Sequence, residues 1–248
     1  MKQGIFIQRL RLVGKKILFP GLDLHTRCRY RFLPDVIRGG DLDTLDAGFG
    51  NGALSYAAYC KGNRVQGVSI VEGEVERTVT LFDYWGIPRD RVELRLMNIY
   101  GLRSLGRTFD QIICSETLEH IARDAEVVQM FADLLKPGGR LLLCCPYALH
   151  PEHALGRTNE PETGYHVRDG YTLESYQSLL ECTGMRMVKT LGLGSPLLCW
   201  LDKLLKGVRN RFGDFWALPL FLVLLPLTWL DYADPSKPYS LAVVVEKQ

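Results

Sequence analysis

Residues 42–54, LDTLDAGFGNGAL, constrain what the rest of this chain can be. A short apolar run ends in Asp46, glycines follow at positions 48, 50 and 52, and a helix-forming run begins at Ala53. Strand, glycine turn and helix in that order make the first βα unit of a nucleotide-binding sheet. Glycine permits positive φ and lets a ligand lie against the backbone. The helix start adds free N–H groups and the positive end of a dipole. The spacing is D-x-G-x-G-x-G, not the G-x-G-x-x-G that seats a pyrophosphate. A carboxylate before the first glycine repels pyrophosphate and suits a cationic ligand. The plainer alternative is a tight βα turn with no ligand.

The later motifs argue against that alternative. Residues 64–70, 92–97, 109–114, 140–145 and 186–191 read as strands, and a last strand covers 240–247. Helical patterns separate them at 74–84, within 116–135 (stripe Val127, Val128, Phe131, Leu135) and at 173–182. The alternation argues for an α/β fold with a doubly wound, parallel sheet. At 248 residues and 47% hydrophobic, the chain can bury one sizeable core. We read 1–40 as basic amphipathic N-terminal helices and 41–248 as one catalytic domain, with an apolar insertion at 195–236.

The motif series DAGFGNG, GVSIVEGE, RLMNIY, FDQIICSETLEHI and LKPGGRLLLCCP resembles the class I S-adenosylmethionine (SAM)-dependent methyltransferases. It is most similar to the type 11 methyltransferases and the ubiquinone-biosynthesis O-methyltransferases. The resemblance covers about residues 41–192 and the last strand. It implies a seven-stranded Rossmann-like sheet whose last strand is antiparallel, with SAM as cofactor. Carried onto this sequence, the cofactor loop is Asp46, Ala47, Gly48, Phe49, Gly50 and Gly52. Asp46 would help orient the methionine end. The second strand ends in Ser69 and Ile70 where the family commonly has an acid for the ribose. Glu74 (or Glu72) then supplies the acceptor, although acids also simply favour a helix start. Met97 and Asn98 fall where the family contacts adenine, and the Asn98 carbonyl can accept. Cys114 and Ser115 would lie against the sulfonium.

Glu116, Glu119 and His120 stand at i, i+3 and i+4, which on a helix is one face. His166 on the following insertion completes a set that resembles the metal site of small-RNA 2′-O-methyltransferases and of ubiquinone-pathway O-methyltransferases. Three roles stay open: a divalent cation site, a general base on His120 or His166, or a structural network. Arg168 is a candidate for an anionic substrate group, and His150 and His153 for lesser substrate contacts.

Two segments fall outside the resemblance. Residues 1–40 carry nine Lys/Arg against two Asp, net +7, while the remainder is −5. That suggests an anionic surface or substrate near the N-terminus, or only a solvated helical face. Residues 197–211 are basic and amphipathic, and 215–230 hold no charge. The latter run is short of the ~20 residues that span a bilayer, and Pro219 and Pro226 would interrupt a single helix. It reads as an interfacial membrane element or as a hydrophobic lid. The seven cysteines form no CxxC, so they read as reduced thiols in a cytoplasmic protein, at the inner face of the membrane if the apolar element docks. No signal peptide is evident.

The expected function is SAM-dependent O-methylation of a small-molecule, apolar or lipid-linked acceptor near a membrane surface, with no nucleic acid partner. The alternatives are a soluble methyltransferase for a sugar or metabolite, and a non-catalytic SAM-binding membrane adaptor.

Overall fold

The computed structural model describes residues 14, 16, 18–153, 162 and 164–248. Seven strands form one sheet: β1 (Asp43–Ala47), β2 (Arg64–Ser69), β3 (Val92–Leu96), β4 (Phe109–Ser115), β5 (Leu135–Pro146), β6 (Met185–Leu193) and β7 (Ser240–Lys247). Their order is β3-β2-β1-β4-β5-β7-β6. Strands β1 to β5 pair in parallel, and β7 runs antiparallel to both β5 and β6. This is the Rossmann-like methyltransferase sheet. The Pro137-Gly138-Gly139 segment lies inside β5 and shifts its register against β4 between Phe109 and Gln111.

The sheet's two-residue period divides the core. Ile112 and Cys114 of β4, Leu141, Leu143 and Cys145 of β5, and Leu241, Val243 and Val245 of β7 face one side. They pack on α4 (Asp124–Leu134) and α5 (Leu173–Leu180). Ile113, Leu142, Cys144, Ala242 and Val244 face the other side. There they meet α1 (Leu24–Phe32), α2 (Ala53–Cys60), α3 (Glu72–Tyr84), α6 (Pro196–Phe212) and α7 (Asp214–Leu224). Central strands covered on both faces need the near-continuous apolar runs the sequence shows.

Three expectations change. Within 1–40 the described structure is α1 and a 3-10 turn, Leu33–Val36; the remaining reading lies mostly outside the described residues. Asp23 caps α1 by accepting from the Thr26 N–H at 2.6 Å. One side of the helix is packed, with Leu24 and Cys28 buried in the core, while Arg31 on it is exposed. Glu116 lies on no helix: its φ is +52°, and only Leu118–His120 turn, as 3-10. Pro219 does not break α7 but sits within it. The carbonyl it leaves unpaired belongs to Phe215, which is 80% exposed.

Candidate active site

Strand order reverses between β1 and β4, and ligands of such sheets lie beyond the carboxyl ends at that crevice. Two clefts meet there. The first, about 240 Å³, is lined by Asp46, Gly48 and Gly50 from the β1 loop, by Ser115 and Glu116, and by Arg29 of α1. The second, about 500 Å³, runs past Ser69, Glu74, Met97 and Asn98 to His120. Gly48, Gly50 and Glu116 line both.

The three glycines serve different ends. Gly48, at φ +88°, turns the chain so tightly that a Cβ would fall inside the Thr117 side chain. At Gly50, φ +53°, a Cβ would meet nothing within 4 Å, which leaves the backbone open to a ligand. Gly52 lines neither cleft. Its absent Cβ makes room for Thr78 and Phe82 of α3, 2.5 and 2.9 Å away.

Asp46 is buried and accepts from the Ser55 hydroxyl at 2.6 Å. Burial pushes its carboxyl up to about 6, against the pull of that hydrogen bond. Phe49 is buried beside the first cleft. Ala47 and Cys114, expected at the cofactor, have side chains fully buried in the core and line neither cleft. Burial raises the Cys114 thiol well above its usual range. Both residues point to the face of the sheet opposite Asp46 and Ile113, which decides their position.

Ser69 donates to the Glu74 carboxylate at 2.8 Å, and its hydroxyl accepts from the Val71 N–H. The pair expected from the sequence is therefore assembled on one cleft wall. Ile70 lies 65% exposed on the same wall. The Asn98 amide oxygen accepts from the Tyr100 N–H at 3.0 Å and caps a 3-10 turn. The carbonyl expected to accept from adenine is thus already engaged.

The four-residue cluster divides. Glu119, His120 and His166 each offer a ligand atom within 4.8 Å of the others, and the two imidazoles meet edge to face at 4.6 Å. Glu119 is fully buried, and neither carboxylate oxygen has a hydrogen-bond partner of good geometry. Burial, with the nearby Glu116 charge, pushes it up to about 8. Orphaned buried oxygens beside two imidazoles suit a divalent cation.

Glu116 stands apart. It pairs with Arg29 at 3.2 Å and accepts from the Ser240 hydroxyl at 3.3 Å. Its backbone is left-handed, and its carboxylate, held by Arg29, is not one of the three ligand groups that gather. Arg168 is not open to an anion: it pairs with Asp124 and donates to the carbonyls of Ile121 and Ala122. His150 is buried beside Cys199, and His153 packs edge-on against Tyr239.

Sequence reasoning missed Arg29, which it counted only as part of a basic arm. Among the described residues Arg29 is the single cation lining the first cleft. Burial opposes its charge, but the surrounding acidic groups, Glu116 first and then Cys144, Asp23 and Glu119, together outweigh it, so its pKa is raised. A basic residue facing the apolar side of an amphipathic helix was the available signal.

Residues 45–143 match a family described as a methyltransferase domain. The chain is 25% identical over 180 residues to a human protein named ubiquinone biosynthesis O-methyltransferase, mitochondrial, covering 69% of this chain and 45% of that one. It is 38% identical over 101 residues to the ubiquinone biosynthesis O-methyltransferase of Xylella fastidiosa, covering 40% and 39%. The chain thus spans less than half the length of these relatives. In fold it is similar to geranyl diphosphate C-methyltransferase from Streptomyces coelicolor A3(2), solved with Mg²⁺, geranyl diphosphate and S-adenosyl-L-homocysteine. The TM-score is 0.63 at 14% identity, covering 90% of this chain and 79% of that one. Residues 45–143 thus match a methyltransferase domain, and the sheet order and cleft position agree with the fold of the methyltransferase structure it is similar to.

Proposed function

We propose that this protein binds SAM across the two joined clefts and methylates a hydroxyl of an apolar or lipid-linked acceptor at a membrane surface. The observation that carries the reading is the meeting of the clefts at Gly48, Gly50 and Glu116. An amino-acid end and a nucleoside end each find chemistry that fits. Arg29 is the cation for a carboxylate, and Asp46 and Glu116 are acids for an ammonium and a sulfonium. Ser69 with Glu74 suits a ribose diol. Ile70 and Met97 offer apolar contact to a flat ring, with the Asn98 amide N–H₂ at its edge.

SAM supplies an electrophilic methyl, so the protein aligns the acceptor oxygen and helps remove its proton. Glu119, His120 and His166 fit a divalent cation, which lowers a bound hydroxyl's pKa. Without one, His120 lines the second cleft and is the candidate base. The exposed apolar surface of α7 favours an apolar acceptor over a sugar.

The test is calorimetric titration of chelator-treated protein with SAM, then methyl transfer into a hydroxyl-bearing lipid extract with and without Mg²⁺ or Zn²⁺. Binding with metal-dependent transfer is the expected result. Binding with metal-independent transfer keeps the enzyme and assigns the cluster to base chemistry. Absence of SAM binding overturns the reading.

A further inference from the structure

From Phe215 onward, α7 is apolar on every side. Ala217, Phe221 and Leu224 are buried in the core shared with α1 and α6. The other face is equally apolar, yet it is open: Phe215, Trp216, Leu222 and Val223 lie between 54% and 80% exposed. Trp229 and Leu230 of the following 3-10 turn, Leu225–Leu230, extend it at 72% and 66%. A helix apolar all round fits a setting with a second apolar medium.

We propose that this face docks the protein, lying in the plane of the interface, on an anionic lipid bilayer. The inference rests on the apolar-acceptor reading and deepens it by naming the surface. Charge selects the occupant. Residues 215–230 contain no acid, and cations rim the patch. Arg31 donates to the Thr228 carbonyl at 2.8 Å and lies 5.2 Å from the Trp229 ring centroid. Arg211 lies over Phe212. In sequence, residues 1–18 hold five Lys/Arg and no acid, though most of them lie outside the described residues. Their described end, the Leu18 carbonyl, accepts from Arg27, whose guanidinium stacks 4.7 Å from the Phe221 ring on the back of α7. Exposed aliphatic and aromatic side chains beside Arg31 and Arg211, with the bordering Asp214 paired to Arg209, match an interfacial element on anionic headgroups. A symmetric pair of copies would set Arg31 and Arg211 patches facing their own kind, which disfavours self-association.

Geometry fixes the mode. The 11 residues of α7 are too few for the ~20 a bilayer span needs. Among the described residues no helix is long and apolar enough to cross a membrane. The element joins β6 to β7 at the edge that carries the clefts. Asp231 ties it there, accepting from the Cys28 thiol at 3.1 Å and the Ser195 N–H at 3.0 Å. Docking therefore holds that edge beside the lipid, where an apolar acceptor would be found.

The experiment uses the full chain with vesicles of phosphatidylcholine, and of phosphatidylcholine mixed with phosphatidylglycerol, read by co-sedimentation and tryptophan emission. Mixed vesicles should bind about tenfold or more tightly than neutral ones, less so at high salt. Leu222→Asp and Val223→Asp should each weaken binding about tenfold or more, with SAM affinity and melting temperature unchanged. If a variant does not fold, the lipid and salt dependence of the wild type decides. No binding to either vesicle overturns the proposal. So does a wild-type dimer that Leu222→Asp dissolves without any vesicle binding. SAM titration of the same preparations separates the two readings: SAM binding without vesicle binding removes only the docking surface.

Discussion

Asp46 carries two opposed demands. In the proposed role it faces a cationic ligand, yet it is 2% exposed, and burial lifts its carboxyl from an ordinary 3.8 to about 6. The folded state therefore holds the proton more tightly than the unfolded chain between those values. Stability falls as pH rises through that window, and the cost is fully present above about 6. Asp46→Asn keeps an oxygen for the Ser55 hydroxyl and removes the charge. It should gain about 1–3 kcal/mol at pH 7.5, close to no gain near pH 4, and lose SAM affinity. Thermal melts at both pH values and a SAM titration check this. A variant that binds SAM like the wild type would refute the cofactor role. Asp46 was legible from its place before the glycines. Arg29 was not, because its partner Glu116 is 87 positions away in sequence.

The β1–α2 turn shows how one motif does several jobs at the level of elements. Alternate glycines look equivalent in sequence, but of the three only Gly50 has open space where a Cβ would stand, whereas Gly52 sets the approach of α3. Gly52→Ala combines a left-handed φ of +76° with a clash against Thr78 and Phe82. It should cost about 1–3 kcal/mol in denaturant unfolding, with SAM affinity reduced only through the shifted loop. An unchanged midpoint would mean α3 can withdraw freely. The ETLEH segment misled for a related reason. Its spacing suits a helix, but the turn at Glu116 must leave β4 at once, and a left-handed residue followed by a single 3-10 turn does so. Glu119 and His120 reach the cluster and Glu116 does not.

At the scale of the molecule, α1 and the insertion form one layer over the sheet edge. Lys206 pairs with Asp202 at 2.6 Å and reaches Asp23 at 3.8 Å, and the His25 ring stacks on Tyr239 at 3.5 Å. Arg29 places α1 among the walls of the first cleft, so a cofactor bound there as proposed should hold the helix closed. Saturating S-adenosylhomocysteine should slow tryptic cleavage within α1 about tenfold or more, read by mass spectrometry of the fragments. Cleavage at an unchanged rate would mean that α1 does not touch the ligand.

The sequence by itself determined the strands, their alternation with helices and the glycine turn, while the Ser69–Glu74 pair came from the family resemblance. Strands, helices and turn depend on local spacing and on the period of apolar residues, which the chain carries along its length. It also marked residues 197–230 as basic and then apolar. Tertiary structure alone decided which side chains share a cavity. It brought Arg29 to Glu116, and it split Glu116 from Glu119, His120 and His166. It buried Cys114 while leaving Ser115 at the cleft, and it left one apolar face of α7 open. Those outcomes depend on which face of the sheet each strand residue takes and on contacts between segments far apart in the chain. No local pattern encodes either.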